Sequence, residues 1–198
     1  MRTKTKALAL ALCAVLLVVT TVFVTMAYLT SKDSVTNTFT VGKVTITLDE
    51  AKVTADGEKV QGADRVKENK YHLIPGHFYV KDPTIHVANG SEECWLFVKV
   101  ENGLANAEAS GATSIESQMA NKDWTKVEGT DVYAYATKQA AGANVIVFDS
   151  FTIAGTTDVS LYEDAKIIVT AYAIQADGFA TAAEAWKVAG AEAQAKAN

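Results

Sequence analysis

Three histidines, His72, His77 and His86, are the side chains of this 198-residue chain best suited to acid–base chemistry or to holding a transition metal. His72 and His77 straddle Pro75-Gly76, and a turn there would bring their imidazoles toward one another. A zinc site needs three or four ligands, and no third is placed by spacing; His86 stands apart within the strand-like Ile85-His86-Val87. The sequence holds no His-Glu-x-x-His helix, no Cys-x-x-Cys pair, no Gly-x-Ser-x-Gly elbow and no phosphate-binding glycine loop. Its serines and acids are too scattered to single out a triad. The acids around Asp56 lack the spacing of a calcium-binding loop. No catalytic residue, no metal-ligand set and no cofactor is therefore assigned, a non-enzymatic role is expected, and metal binding by His72, His77 or His86 stays open.

The cysteines add little chemistry. Cys13 lies in the apolar leader, which leaves Cys94 alone in the remainder of the chain and rules out an intramolecular disulfide there. Its setting, Cys94-Trp95-Leu96-Phe97-Val98, is that of a buried small apolar residue in a strand. Trp95, Phe97, Tyr133, Tyr135, Phe148, Tyr172 and Trp186 fall at strand or helix-anchor positions and are expected in the core.

What precedes these residues bears on where the chain works. Arg2, Lys4 and Lys6 introduce an uncharged apolar run from Ala7 to Ala27, the pattern of an export signal. Ala7 to Val24 is also long enough for a transmembrane helix, so a retained single-pass anchor is the alternative. Thr25-Met26-Ala27 presents small residues at −3 and −1, and no basic stop-transfer cluster follows, so cleavage is expected to leave Ala27 or Tyr28 as the mature N-terminus, with Met26, Ala27 and Tyr28 forming the junction. Membrane contact is then expected only through the uncleaved signal. The net charge is −5; all 23 acidic residues but only 15 of the 18 basic ones follow the leader, leaving −8, which argues against a nucleic-acid partner.

The organisation expected is a signal peptide at 1–27, an extended polar segment at 28–38 and one domain at 39–198. Phe39 and Val41 alternate on odd positions and Val44, Ile46 and Leu48 on even ones, which predicts a β-bulge at Gly42-Lys43. Asp56-Gly57 predicts a two-residue hairpin setting Val53 opposite Val60. Pro75-Gly76 fits a type II turn, and Asn89-Gly90 a tight turn leading into a strand from Cys94 to Val100, whose Leu96, Val98 and Val100 face the core while Phe97, Lys99 and Glu101 grade toward water. Further strands are predicted at Val132–Thr137, Asn144–Ile153 and Lys166–Ile174. Thr113-Ser114-Ile115-Glu116 and Thr181-Ala182-Ala183-Glu184 both carry capping-box spacing, so each opens a helix, the first presenting Ile115 and Met119 on one face and the second anchored by Trp186. About eight strands and two peripheral helices give a mainly β fold, a jelly-roll-like β-sandwich.

The passage "AYLTSKDSVTNTFTVGKVTITLDE", the Pro75-Gly76 turn, "HVANGSEECWLFVKV" and the closing "VTAYAIQADGFATAAEAW" together make the chain resemble the TasA/camelysin (CalY) family of Gram-positive bacteria, whose signals are removed by a SipW-type signal peptidase. The resemblance covers most of the chain, and the junction is its most specific part. It implies a secreted jelly-roll subunit that self-associates into fibres of the biofilm matrix or cell surface, with an accessory matrix protein as a further partner, and that donates its N-terminal segment to a neighbour as a strand. Tyr28, Leu29 and Val35 supply the sparse apolar pattern such a donor strand needs. The alternatives are a monomeric surface adhesin or binding module, and a camelysin-like metallo-endopeptidase, for which the zinc-binding helix is missing.

Overall fold

The structure, a computed structural model, describes residues 43–197. The cleavage junction Met26, Ala27 and Tyr28, the donor-strand residues Tyr28, Leu29 and Val35, and the Phe39 and Val41 side of the expected bulge lie outside the described residues.

The described chain is mainly β. Its strands are β1 (Ile46–Asp49), β2 (Phe78–Val80), β3 (Thr84–Val87), β4 (Cys94–Asn102), β5 (Trp124–Lys126), β6 (Val132–Tyr135), β7 (Asn144–Ile146), β8 (Ser150–Thr152) and β9 (Ile167–Gln175). Two helices, α1 (Ile115–Asn121) and α2 (Ala182–Ala197), and a 3-10 turn at Val159–Tyr162 accompany them. All strand pairings are antiparallel, in a sheet ordered β1-β3-β7, a sheet ordered β5-β6-β4-β9 and the pair β2-β8.

β4 organises both cores. Its even residues Cys94, Leu96 and Val98 meet Ile85 and Val87 of β3, Val145 of β7, Tyr79 of β2 and Phe151 of β8 in the main hydrophobic cluster. Its odd residues Trp95 and Phe97 meet Tyr172 and Ile174 of β9 and Trp186 of α2 in a second cluster. The expectation of one packed and one increasingly wet face is therefore corrected: both faces are buried from Cys94 to Val98 because α2 covers the odd side. Only beyond the helix do Lys99 and Glu101 reach water, where Lys99 Nζ pairs with Asp131 at 2.8 Å.

The turn chemistry is close to expectation, with one register error. His77 N–H donates to Ile74 O at 3.2 Å across Pro75-Gly76, and Gly76 has φ +75°, as a type II turn requires. Ser91 N–H donates to Ala88 O at 3.1 Å across Asn89-Gly90, a turn that carries the chain from β3 in one sheet to β4 in the other. At Asp56-Gly57, Val53 bridges Lys59 instead of Val60. Thr54 O accepts from Gly57 N–H and Glu58 O from Thr54 N–H, both at 2.9 Å, so the loop holds three residues ending in a left-handed glycine, φ +79°. Gly57 is also a close approach: a Cβ there would lie 2.6 Å from the Tyr79 ring.

Two further expectations need correction. The predicted strand Asn144–Ile153 is split between two sheets as β7 and β8, with Val147 and Phe148 fully buried at the break. Gln118 of α1 holds the break, its Oε1 accepting from the N–H groups of Asp149 at 3.0 Å and Ser150 at 3.2 Å. The first helix is capped by Ser114, not Thr113: Ser114 Oγ accepts from Ser117 N–H, and Glu108, from the preceding loop, accepts Ile115 N–H at 2.7 Å. A carboxylate already in place makes the expected Glu116 contact unnecessary. Burial pushes the Glu108 carboxyl above its usual range despite these hydrogen bonds. The second box forms in its hydroxyl half, Thr181 Oγ1 accepting Glu184 N–H, while Glu184 Oε2 reaches one residue further back to Ala180 N–H. Ile115, Met119 and Trp186 are buried as their spacing predicts.

Candidate functional site

β9 ends the larger sheet, and its outer edge is left unpaired among the described residues. Gly103 N–H donates to Lys166 O and Ala176 N–H to Glu93 O, both at 2.8 Å, which fixes the phase of the β4–β9 ladder. Ile168, Thr170, Tyr172 and Ile174 therefore turn their backbone groups toward β4. Ile167, Val169, Ala171, Ala173 and Gln175 turn theirs outward, where no partner exists among the described residues. A nine-residue strand spans about 30 Å, a long open edge of the kind that templates pairing with another chain.

The side chains at this edge are apolar and incompletely covered. Ile167, Val169, Ala171 and Ala173 lean against the main cluster yet are only half-buried. On the facing sheet β1 comes close to β9, and Val44, Ile46 and Leu48 are half-buried in the same way. The Ala88–Thr45 bond puts Thr47 and Asp49 in contact with β3 and turns the N–H and C=O groups of Ile46 and Leu48 outward, also without a partner among the described residues. At Glu50 this edge closes, through reciprocal 2.8 Å bonds with Val66. Lys43 O accepts from Glu92 N–H at 3.1 Å, so the described chain begins at the end of the molecule where β9 finishes.

His72 and His77 both come to Asp56, and His86 stands apart on β3. His72 Nδ1 lies 3.7 Å from Asp56 Oδ1 on a mostly exposed side chain. His77 Nε2 meets the Asp56 carbonyl at 2.8 Å while its ring packs edge-on against Tyr79. His86 contacts Asn144 through Nδ1 and Asp49 through Nε2, the latter at 2.9 Å. Among the described residues no three His, Cys, Asp or Glu side chains converge as a metal site. Cys94 is fully buried, and burial, with Glu93 nearby, pushes its thiol up to about 11, which keeps it protonated and unreactive near neutrality. The cleft beside Trp95, between β5, β6 and the start of α2, is lined by no histidine or cysteine.

Sequence reasoning passed over one buried polar group. Glu50 and Lys81, both buried, pair at 2.5 Å, and Asn69 Nδ2 donates to the other Glu50 oxygen at 2.9 Å. The three residues come from separate segments, so no local spacing announces them. Comparison with protein-family models, curated proteins and solved structures finds no match.

Proposed function

We propose that the chain is a secreted structural subunit of extracellular fibres of the TasA/camelysin kind, built on a jelly-roll-like β-sandwich. A SipW-type signal peptidase would free Tyr28, and residues 28–38 of one subunit would then pair with the β9 edge of the next. The open β9 edge carries this reading. An eleven-residue extended segment covers about 36 Å, matching an edge of about 30 Å. The five outward-facing residues of β9 offer main-chain bonds worth roughly 0.5–1.5 kcal/mol each. Leu29 and Val35 share one face of an extended chain, which suits the half-buried apolar margin of Ile167, Val169 and Ala171.

The test compares the cleaved chain with a variant lacking residues 28–38, by negative-stain electron microscopy and sedimentation. Fibres from the first and folded monomers from the second are expected, together with capping of the truncated protein by a 28–38 peptide but not by its Leu29→Asp, Val35→Asp form, because a buried unpaired carboxylate is costly. Normal polymerisation by the truncated chain would sink the reading. A cleaved full-length protein that stays monomeric would favour the adhesin alternative.

A further inference from the structure

The cluster of buried Lys81 and Glu50 with half-buried Asn69 has the makings of a covalent bond. Glu50 stands just after β1, Asn69 in the long connection between β1 and β2, and Lys81 just after β2. One carboxylate holds the other two: Glu50 Oε2 meets Lys81 Nζ at 2.5 Å, and Glu50 Oε1 accepts from Asn69 Nδ2 at 2.9 Å. The orientation of the Asn69 amide is set by the backbone, since Nδ2 also donates to Ala51 O at 2.8 Å and Oδ1 accepts from Val53 N–H at 3.0 Å. The carbonyl oxygen thus sits on a fixed N–H donor and the amide nitrogen faces the carboxylate. An aromatic wall bounds the site: Lys81 Nζ lies 5.9 Å from the Tyr71 ring, which packs edge-on against Tyr79 and Phe151. The neighbouring acid, Asp82, is occupied by Arg65 and by Ala51 N–H.

We propose that Lys81 and Asn69 join in an intramolecular isopeptide bond, with Glu50 as the proton carrier between them. Glu50 Oε2 takes a proton from the Lys81 ammonium, and the freed amine attacks Asn69 Cγ. Negative charge gathers on Oδ1, where Val53 N–H receives it. The attacking nitrogen gives up a second proton and Nδ2 gains one through the same carboxylate, the Cγ–Nδ2 bond breaks, and ammonia leaves. The Nζ–Cγ bond forms as Cγ–Nδ2 is lost; ammonia carries off the proton that began on Lys81 as ammonium, Glu50 ends ionised as it began, and no oxidant or other co-reactant is needed. Holding nucleophile, amide and carboxylate together, with Glu50 and Lys81 buried, supplies the proximity that a free amine and amide lack. The bond would tie the connection before β2 to the end of β2 independently of any fibre assembly.

Intact-mass spectrometry of the folded full-length protein tests this. The expected mass is about 17 Da below that of the unmodified chain, the loss of one ammonia. A tryptic digest should show Glu68–Lys70 joined to the peptide Tyr71–Lys99, uncleaved at Lys81. The joined peptide separates the bond from succinimide formation at Asn89-Gly90, which loses the same mass. Lys81→Arg, Asn69→Ala and Glu50→Gln should each restore the full mass, and chain kept in denaturant from synthesis onward should have it too. A folded wild-type protein at full mass, or a loss that survives Lys81→Arg, overturns the proposal. The wild-type measurement decides even where a variant fails to fold.

Discussion

Asp49 ties several segments together at the outer face of the β1-β3-β7 sheet. It receives Arg65 from the long connection and His86 Nε2 from β3, while Arg65 also reaches Asp82 and donates to Thr84 Oγ1 at 2.8 Å. Burial by itself would raise the Asp49 carboxyl, but the hydrogen bonds from Arg65 and His86 outweigh it and hold the group below its ordinary value. The sign follows: a carboxyl with a depressed folded value contributes stability in full above its unfolded value of about 4, and loses it as pH falls through the folded one. Melting temperature should accordingly drop on acidification below about pH 4, and Asp49→Asn should flatten that drop while costing about 1–2 kcal/mol near neutrality. An unchanged acid limb in the variant would show that other carboxyls set it. At this scale the sequence was legible for Cys94, whose apolar neighbours announced its burial. It was silent on His86, because the partners Asp49 and Asn144 come from other strands.

Among the elements, α2 shows how spacing alone can reveal packing. Trp186 and Gly190 are four residues apart and so lie on one helical face. The indole rests on the glycine and meets Phe97 and Tyr172 at ring-centroid distances of 4.8 and 5.5 Å. In an open helix interior, replacing glycine with alanine gains about 1 kcal/mol. Here a Cβ would stand 2.7 Å from the Trp186 ring, so Gly190→Ala should instead destabilise by roughly 1–3 kcal/mol, read from the denaturant midpoint at unchanged m-value. A rise in midpoint would mean that the indole swings away without loss. The helix, its capping box and its anchor were all legible from the sequence. The splitting of Asn144–Ile153 was not, since a continuous apolar run looks the same whether it stays in one sheet or passes between two, and the deciding contact, Gln118, belongs to another element.

For the whole molecule, strand content and turn positions were readable because alternation and Pro-Gly or Asn-Gly pairs act locally. The sheet order was not, and neither was the β9 edge left unpaired among the described residues, which follows only from knowing that β9 pairs with β4. That pairing joins Cys94 to Gln175 and Asn102 to Ile167, with α1 and β5 to β8 in the intervening chain. Both hydrophobic clusters depend on it, for β9 contributes one face to each. Loop closure over such a distance precedes any reward, so refolding should take milliseconds to seconds in stopped-flow fluorescence, and a chain ending at residue 164 should show no cooperative unfolding transition. A cooperative transition in that shortened chain would place the nucleus within the earlier strands. The topology thus imposes an order in time. Until its last strand has emerged the chain cannot close its larger sheet, and each hydrophobic cluster still lacks one of its walls.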